Sequence, residues 1–283
     1  MNMKSYSCGL ILLLVVMTGC FPSKELSGNK KLGKNETHLR LVDSIIGLGL
    51  DNEALYTLVS DIKPMSSLAN FSYPFYTSDT ALLLSGNIVD LSNNKVAISD
   101  LETIVEVLRK LNIKGLEFAM VPFRYGHDSL RMMQLNVIRK HSLDKVIARY
   151  QEFFGYMGIV PGTDPSVVLS TVENQDQLIR LRGYGYLFGY PKYAVDFFVE
   201  SYFKESQTGN FVERDFFQIP AYTGERGRFV YAIPKNHRPS DVDSSLYYKS
   251  VGILNNYKSR RGDYMRKDST LRALDLVRDF NMK

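Results

Sequence analysis

The chain is poor in cysteine and histidine and has no tryptophan, and each shortage excludes a class of site. Its only cysteines are Cys8 and Cys20, so a domain that begins beyond them has no internal disulfide, cysteine-based zinc site or cysteine nucleophile. The four histidines, at positions 38, 127, 141 and 237, lack the spacing of metal ligands. The absence of tryptophan weakens the case for a sugar-binding protein, although the 18 tyrosines keep it open.

Sequence motifs of the common enzyme classes are also missing. The chain has no Gly-x-Ser-x-Gly elbow, no His-Glu-x-x-His zinc helix, no phosphate-binding loop that ends in Lys-Ser or Lys-Thr, and no dinucleotide fingerprint. We therefore expect no metal site and no cofactor. The sequence assigns no particular reaction or ligand.

The charge is modest and evenly spread. The chain carries 35 basic and 30 acidic side chains, which does not favour a nucleic-acid partner. One local concentration of basic residues occurs near the carboxyl end, at Lys258, Arg260, Arg261, Arg266 and Lys267. Two interpretations are open: contact with the anionic headgroups of lipid or lipopolysaccharide, or an ordinary solvent-exposed helix or loop.

The amino terminus has the layout of an export signal. Lys4 precedes an apolar run from Gly9 to Met17, and Thr18, Gly19 and Cys20 follow. A run of about nine apolar residues is too short for a membrane-spanning helix, which needs about 20. We expect residues 1–19 to be a signal peptide.

The segment Met17-Thr18-Gly19-Cys20 resembles the lipobox of bacterial lipoproteins. The resemblance covers the leader alone, because the rest of the chain shows no motif of a characterised family. It implies cleavage before Cys20 and acylation of that cysteine, whose acyl chains would hold the protein on a membrane. An ordinary secretory leader with a chance cysteine is the alternative.

A polar stretch follows the predicted lipidation site. Residues 20–35 have little periodicity and predict a flexible tether. No aspartate follows Cys20, which by the same resemblance favours the outer membrane, with the domain facing the periplasm or the cell surface. The expected partner is thus the membrane itself, reached through acylated Cys20, and the sequence names no protein partner.

Residues 36–283 are long enough and apolar enough for one domain with a sizeable core. The composition is 45% hydrophobic and 12% aromatic. Helical spacing of apolar residues predicts several helices, and few strands are indicated. We therefore predict an α+β fold, a predominantly helical single domain with a small antiparallel sheet.

Local patterns place several elements. Ser99 and Glu102 have the spacing of a capping box, and residues 116–123 read as a strand that ends near Pro122. Two hairpins are predicted, one of residues 88–91 with 95–98 through a turn at Asn93-Asn94, and a second of 216–221 with 228–233. The predicted helices are one capped by Asp128, one over 143–157, one that begins near 174, one over 192–203 and one over 270–280.

The segment from Leu178 to Pro191 is the first candidate site, because glycines alternate in it with tyrosines after two arginines. Glycines in a turn would let the backbone approach a ligand closely. The candidate ligand-binding residues are Arg180, Arg182, Tyr184, Tyr186 and Tyr190, which could grip an anion and stack on a ring. The alternative is that the glycines only let helices pack closely, with ordinary half-buried tyrosines.

The second candidate lies at the tip of the second hairpin. Glu225 could act as a general base, with Arg226 or Arg228 beside it to hold an anion. Arg182, Arg228 and His237 complete this candidate catalytic set. An exposed turn selected for solubility is the alternative. We expect a membrane-anchored extracytoplasmic lipoprotein that binds a ligand or has a structural role in the envelope. The alternative function is an extracytoplasmic enzyme, such as a hydrolase of envelope or nutrient polymers.

Overall fold

A computed structural model describes residues 34–74, 76–77, 89–90, 95–109, 111–123 and 130–282. It confirms the predicted class, a predominantly helical α+β domain with a small antiparallel sheet. The helices of this part are α1 (Lys34–Asp51), α2 (Leu55–Leu58), α3 (Lys95–Arg109), α4 (Lys140–Arg149), α5 (Gln151–Tyr156), α6 (Pro165–Glu173), α7 (Gln177–Leu187), α8 (Lys192–Thr208), α9 (Asp241–Arg261) and α10 (Ala273–Asn281). The strands are β1 (Met65–Pro74), β2 (Tyr76–Thr77), β3 (Val89–Asp90), β4 (Leu116–Pro122), β5 (Leu130–Arg139), β6 (Arg214–Ala221) and β7 (Gly224–Pro234).

The largest sheet has three antiparallel strands in the order β1-β5-β4. Gln134 in the central strand lies opposite Asn70 on one side and Val121 on the other. A bulge at Leu68 interrupts the alternation of β1, so that Ser67 and Asn70 project from the same face although they are three residues apart. Strands β6 and β7 form a separate hairpin, and β2 pairs with β3 in parallel.

The two faces of the three-stranded sheet cover different hydrophobic clusters. Leu135 and Val137 share a buried cluster with α1, α2, α10 and the inner face of the hairpin. Ile138, one residue further on, belongs instead to the cluster that α4 to α8 complete. Successive side chains of a strand point to opposite faces, so β5 contributes to both cores.

Helix α1 is fixed by ion pairs with the basic segment near the carboxyl end. Arg266 binds the buried Asp43 at 2.5 Å, and Asp43 also accepts a hydrogen bond from the Leu274 amide. Arg261 binds Asp51 at 3.1 Å. The third arginine of the segment, Arg260, lies 4.1 Å from the centre of the Phe280 ring, while the two lysines of the segment are exposed.

Several predicted elements are confirmed, with shifted bounds. Strand β4 and the second hairpin occur where expected, but Ala221 pairs with Gly224, so the turn is tighter than predicted. The helix predicted over 143–157 is divided into α4 and α5 at Tyr150. The other expected helices correspond to α7, α8 and α10. Helix α1 begins at Lys34, two residues before the predicted start of the domain, and residues 1–33 lie outside the described residues.

Three predictions of local structure are wrong. Residues 95–98 were expected to form a strand, but they are the first turn of α3, and Ser99 therefore lies inside that helix rather than at its cap. The proposed Asn93-Asn94 turn lies outside the described residues. Asp128 also lies outside them, and β5 rather than a helix follows it. The long helix α9 was not predicted, because its apolar residues do not form a single stripe.

No helix among the described residues is both long and apolar enough to cross a membrane.

Candidate ligand-binding cavity

A cavity of about 310 Å³ lies where the three-stranded sheet, α7, α8 and the β6–β7 hairpin meet. Its volume is at the lower end of the range found for small-molecule sites, roughly 300 to 1,000 Å³. Aromatic rings form much of the wall, at Phe123, Tyr184, Phe188, Tyr190, Phe198, Phe216 and Tyr231. Such a wall favours an apolar or aromatic ligand.

Helix α7 supplies one side of the cavity because glycine lets it pack closely on α8. A Cβ atom at Gly185 would lie 2.7 Å from a methyl group of Val195, so any larger residue would push the two helices apart. The segment is thus helical up to Leu187 and is not a glycine-rich turn, which confirms the alternative that its glycines let helices pack closely. Gly189 then reverses the chain with a φ of +77°, a value that favours glycine.

The helical geometry divides the candidate residues of this segment between two faces. Arg180 and Tyr184 are four residues apart, so they share the face that lines the cavity, and Tyr190 joins them. Arg182 points elsewhere and pairs with Asp196. Tyr186 stacks on Tyr150 with ring centres 3.8 Å apart. The structure therefore brings three of the five predicted residues to the cavity and places the other two in an ion pair and a ring stack.

The charged residues among those described in the cavity wall are Glu173 and Arg180, and they bind each other. Glu173 is 1% exposed and lies 3.3 Å from the Arg180 guanidinium. The Tyr184 hydroxyl donates a hydrogen bond of 2.7 Å to Glu173. Burial raises the pKa of Tyr184, and the neighbouring carboxylate raises it further. Together the carboxylate and the guanidinium give this part of the wall no net charge.

The sheet contributes a group of polar side chains, which we call the polar strip. It consists of two cross-strand pairs on one face, Ser67 with Asn136 and Asn70 with Gln134. Each has a buried oxygen or nitrogen atom that pairs with none of the residues the structure describes. Asn70 and Gln134 line the cavity. Since an unpaired buried polar group costs about 1–3 kcal/mol, four in one patch are unusual for a purely structural core.

A buried lysine lies behind the aromatic wall. Lys63 is 0% exposed and binds Glu53 at 2.6 Å. Its ammonium group is 4.4 Å from the centre of the Phe229 ring and 5.2 Å from that of Phe188. Burial lowers the pKa of Lys63, and the Glu53 carboxylate offsets part of that decrease. The contact fixes the position of Phe188, which lines the cavity.

A second polar cluster lies beside the cavity and shares Tyr231 with its wall. Asp243 is fully buried and accepts hydrogen bonds from the hydroxyls of Tyr231 at 2.6 Å and Tyr193 at 2.7 Å. Burial alone would raise the pKa of Asp243, but these hydrogen bonds and those from Ser240 outweigh it, so the pKa is lowered. Ser240 and Asp243 also form the capping box of α9. This cluster therefore has a structural role at the start of that helix.

The predicted catalytic set is not brought together. His237 stacks on Tyr193 beyond one end of β7, whereas Glu225 is exposed near the other end. The strand has 11 residues, and its ends are on the order of 35 Å apart. Arg228 lies in the same strand, and Arg182 is paired on α7. None of the four lines the cavity.

The sequence interpretation missed Glu173, Asn70 and Gln134. Glu173 is the last residue of α6, and no local pattern marks it as buried. In β5, Gln134 and Asn136 alternate with Leu135 and Val137. This alternation ordinarily predicts that the polar face of the strand is exposed to solvent. Both polar residues are only 2% exposed, because α4 to α8 cover that face. Bulky apolar residues in the covering helices were the signal that could have shown it.

Two further observations bear on which function can be assigned to the chain. Among the described residues, no group of three or more histidine, cysteine, aspartate or glutamate side chains could hold a metal ion. The chain matches no protein-family model, no curated protein and no solved structure. The cavity and its wall are thus the basis for any functional assignment.

Proposed function

We propose that the chain is an extracytoplasmic lipoprotein, anchored through acylated Cys20, whose domain binds a small and mainly apolar ligand in the cavity. The supporting observation is the cavity itself, which has about 310 Å³ of space, an aromatic wall and a few polar groups that converge on it. Apolar concavities with a small number of placed polar groups are typical of ligand sites.

The alternative, an extracytoplasmic hydrolase, has less support. Glu225, Arg228 and His237 are distributed along β7 and beyond it, and Arg182 is paired with Asp196. Hydrolysis by a general base requires its partners within hydrogen-bonding reach of one substrate position. A role for these four residues as one catalytic site therefore lacks the geometry that it needs.

Binding in the cavity is tested with a neutral apolar fluorophore, N-phenyl-1-naphthylamine, which brightens in apolar surroundings. Val230 lines the cavity, so a Val230→Phe variant should fill part of it and weaken the binding of the fluorophore roughly tenfold or more. Val242 is 58% exposed on α9, and Val242→Phe is the matched control. All variants are compared as full chains in the same detergent, so that partition of the fluorophore into micelles cancels.

Equal binding by the two variants would mean that the fluorophore sits elsewhere, and the cavity would lose its proposed role. Loss of binding in both variants would point to unfolding or surface adsorption, which circular dichroism separates. Failure of the wild-type chain to bind the fluorophore would also count against the proposal.

The anchor has an independent test. A Cys20→Ser variant, expressed in a bacterium fed with labelled palmitate, should incorporate no label and should leave the membrane fraction. A Cys8→Ser variant, altered within the predicted leader, is the control and should be labelled normally. Separation of inner and outer membranes tests the proposed outer-membrane location. Persistent labelling of the Cys20→Ser chain would refute the lipobox assignment.

A further inference from the structure

The polar strip is the part of the cavity that the apolar wall does not explain. Gln134 is 2% exposed, and its amide nitrogen pairs with no other residue of the described chain, although it lines a cavity large enough for a ligand. Asn70, directly opposite it, has an unpaired amide oxygen. A buried donor and a buried acceptor thus lie on adjacent strands at one side of the cavity.

We propose that Asn70 and Gln134 bind a neutral group of the ligand that offers both a hydrogen-bond donor and an acceptor, as a carboxamide or the edge of a cyclic amide does. This inference rests on the proposed binding function and adds the ligand class to it. The remainder of the ligand, aromatic or aliphatic, packs against the aromatic wall.

The requirement for both a donor and an acceptor follows from the chemistry of the strip. A side-chain amide presents one carbonyl and one NH₂ group, so two facing amides present complementary edges. In the structure the unpaired atoms are the amide nitrogen of Gln134, which is a donor, and the amide oxygen of Asn70, which is an acceptor. A ligand group with both functions can satisfy both atoms at once.

The neutrality of the group follows from the charges near the strip. The strip is uncharged, and the charged residues of the described wall, Glu173 and Arg180, bind each other at 3.3 Å. Among the described residues of the wall, a carboxylate placed at the strip would meet no cation except Arg180, which Glu173 already binds, so it would lose its hydration with little in return. A neutral amide loses much less hydration free energy on entering the cavity.

Two probes with the same naphthalene skeleton test whether the strip binds a neutral or an anionic group. They are 1-naphthaleneacetamide, which is neutral, and 1-naphthaleneacetate, which is anionic. The chain has no tryptophan, so its own emission comes from tyrosine at shorter wavelengths, and naphthalene emission can be followed separately. We expect the wild-type full chain to bind the amide roughly tenfold or more tighter than the carboxylate.

The role of Gln134 is tested with Gln134→Leu, which keeps the size of the side chain and removes its amide. Loss of one hydrogen bond should weaken binding of the amide probe about three- to tenfold. Binding of the carboxylate probe and of N-phenyl-1-naphthylamine should change little. The matched control is Gln207→Leu on the exposed surface of α8, which should affect none of the three.

Three results would overturn the inference: equal affinity of the two naphthalene probes, tighter binding of the carboxylate, or unchanged amide binding by Gln134→Leu. In each case, retained binding of N-phenyl-1-naphthylamine that Val230→Phe weakens would leave the cavity function intact. If that fluorophore does not bind either, the proposed function itself fails. The two levels of the proposal are therefore distinguishable.

Discussion

The two faces of the three-stranded sheet differ in chemistry although one strand supplies both. One face presents Leu135 and Val137, which are fully buried among apolar side chains of α1, α2 and α10. The other presents Gln134 and Asn136, which are almost as fully buried but have unpaired polar atoms. The first face is a conventional core, whereas the second combines a core with the cavity.

The difference indicates where stability and function are concentrated. A packed apolar face stabilises the fold through burial and close contact. A buried polar face without partners weakens the fold, so its presence favours a role outside stability. The helices over that face, α7 and α8, are held close by Gly185 and yet leave about 310 Å³ between themselves, the sheet and the hairpin.

The largest expected effect is on the apolar face. Leu135 is 0% exposed, and Leu135→Ala should lower the free energy of unfolding by about 2–5 kcal/mol, because it removes buried methyl groups and leaves a cavity. Urea denaturation followed by circular dichroism measures the change. Under conditions where the variant is still folded, its affinity for N-phenyl-1-naphthylamine should match that of the wild type.

A small loss of stability in Leu135→Ala, or a large loss of binding in the folded variant, would contradict the division of roles between the two faces of the sheet. The first would mean that this face does not stabilise the fold as its packing indicates. The second would mean that the two faces are coupled.

The smallest expected effect is on the polar face and has the opposite sign. Gln134→Leu should raise the free energy of unfolding by about 1 kcal/mol, because it removes an unpaired buried amide. The surface control, Gln207→Leu, should change stability by less than about 0.5 kcal/mol. The same urea titration measures both. A clear loss of stability in Gln134→Leu would show that the amide has a structural partner, and it would count against the proposed role of that amide in ligand binding.

Sequence reasoning worked where the signal is local and failed where tertiary contacts decide. The spacing of Leu143, Ile147 and Phe154 predicts helix, and the structure confirms it with a break at Tyr150. The alternation in residues 95–98 predicts a strand, but these residues begin α3, since short apolar runs are ambiguous between strand and helix. The glycines at 183 and 185 lie inside α7, which excludes the predicted turn and confirms the alternative that they let helices pack closely.

The same limit applies to the candidate residues. The concentration of arginine and tyrosine between residues 178 and 191 directed attention to Arg180, Tyr184 and Tyr190, which line the cavity. Once the segment is helical, the period of 3.6 residues places Arg182 and Tyr186 on another face. The basic segment near the carboxyl end was open to a lipid-binding interpretation, but Arg261 and Arg266 bind carboxylates of α1.

The sequence by itself determined the α+β class and the absence of cysteine chemistry from the folded domain, because composition and periodicity are properties of the chain alone. It also predicts the lipidation of Cys20 from a local motif. Only the tertiary structure decided that Asn70 and Gln134 face each other, that a bulge at Leu68 sets that register, and that Glu173 binds Arg180 beside them. Asn70 and Gln134 come from distant parts of the chain, and Glu173 and Arg180 come from successive helices, so strand pairing and helix packing determine these contacts.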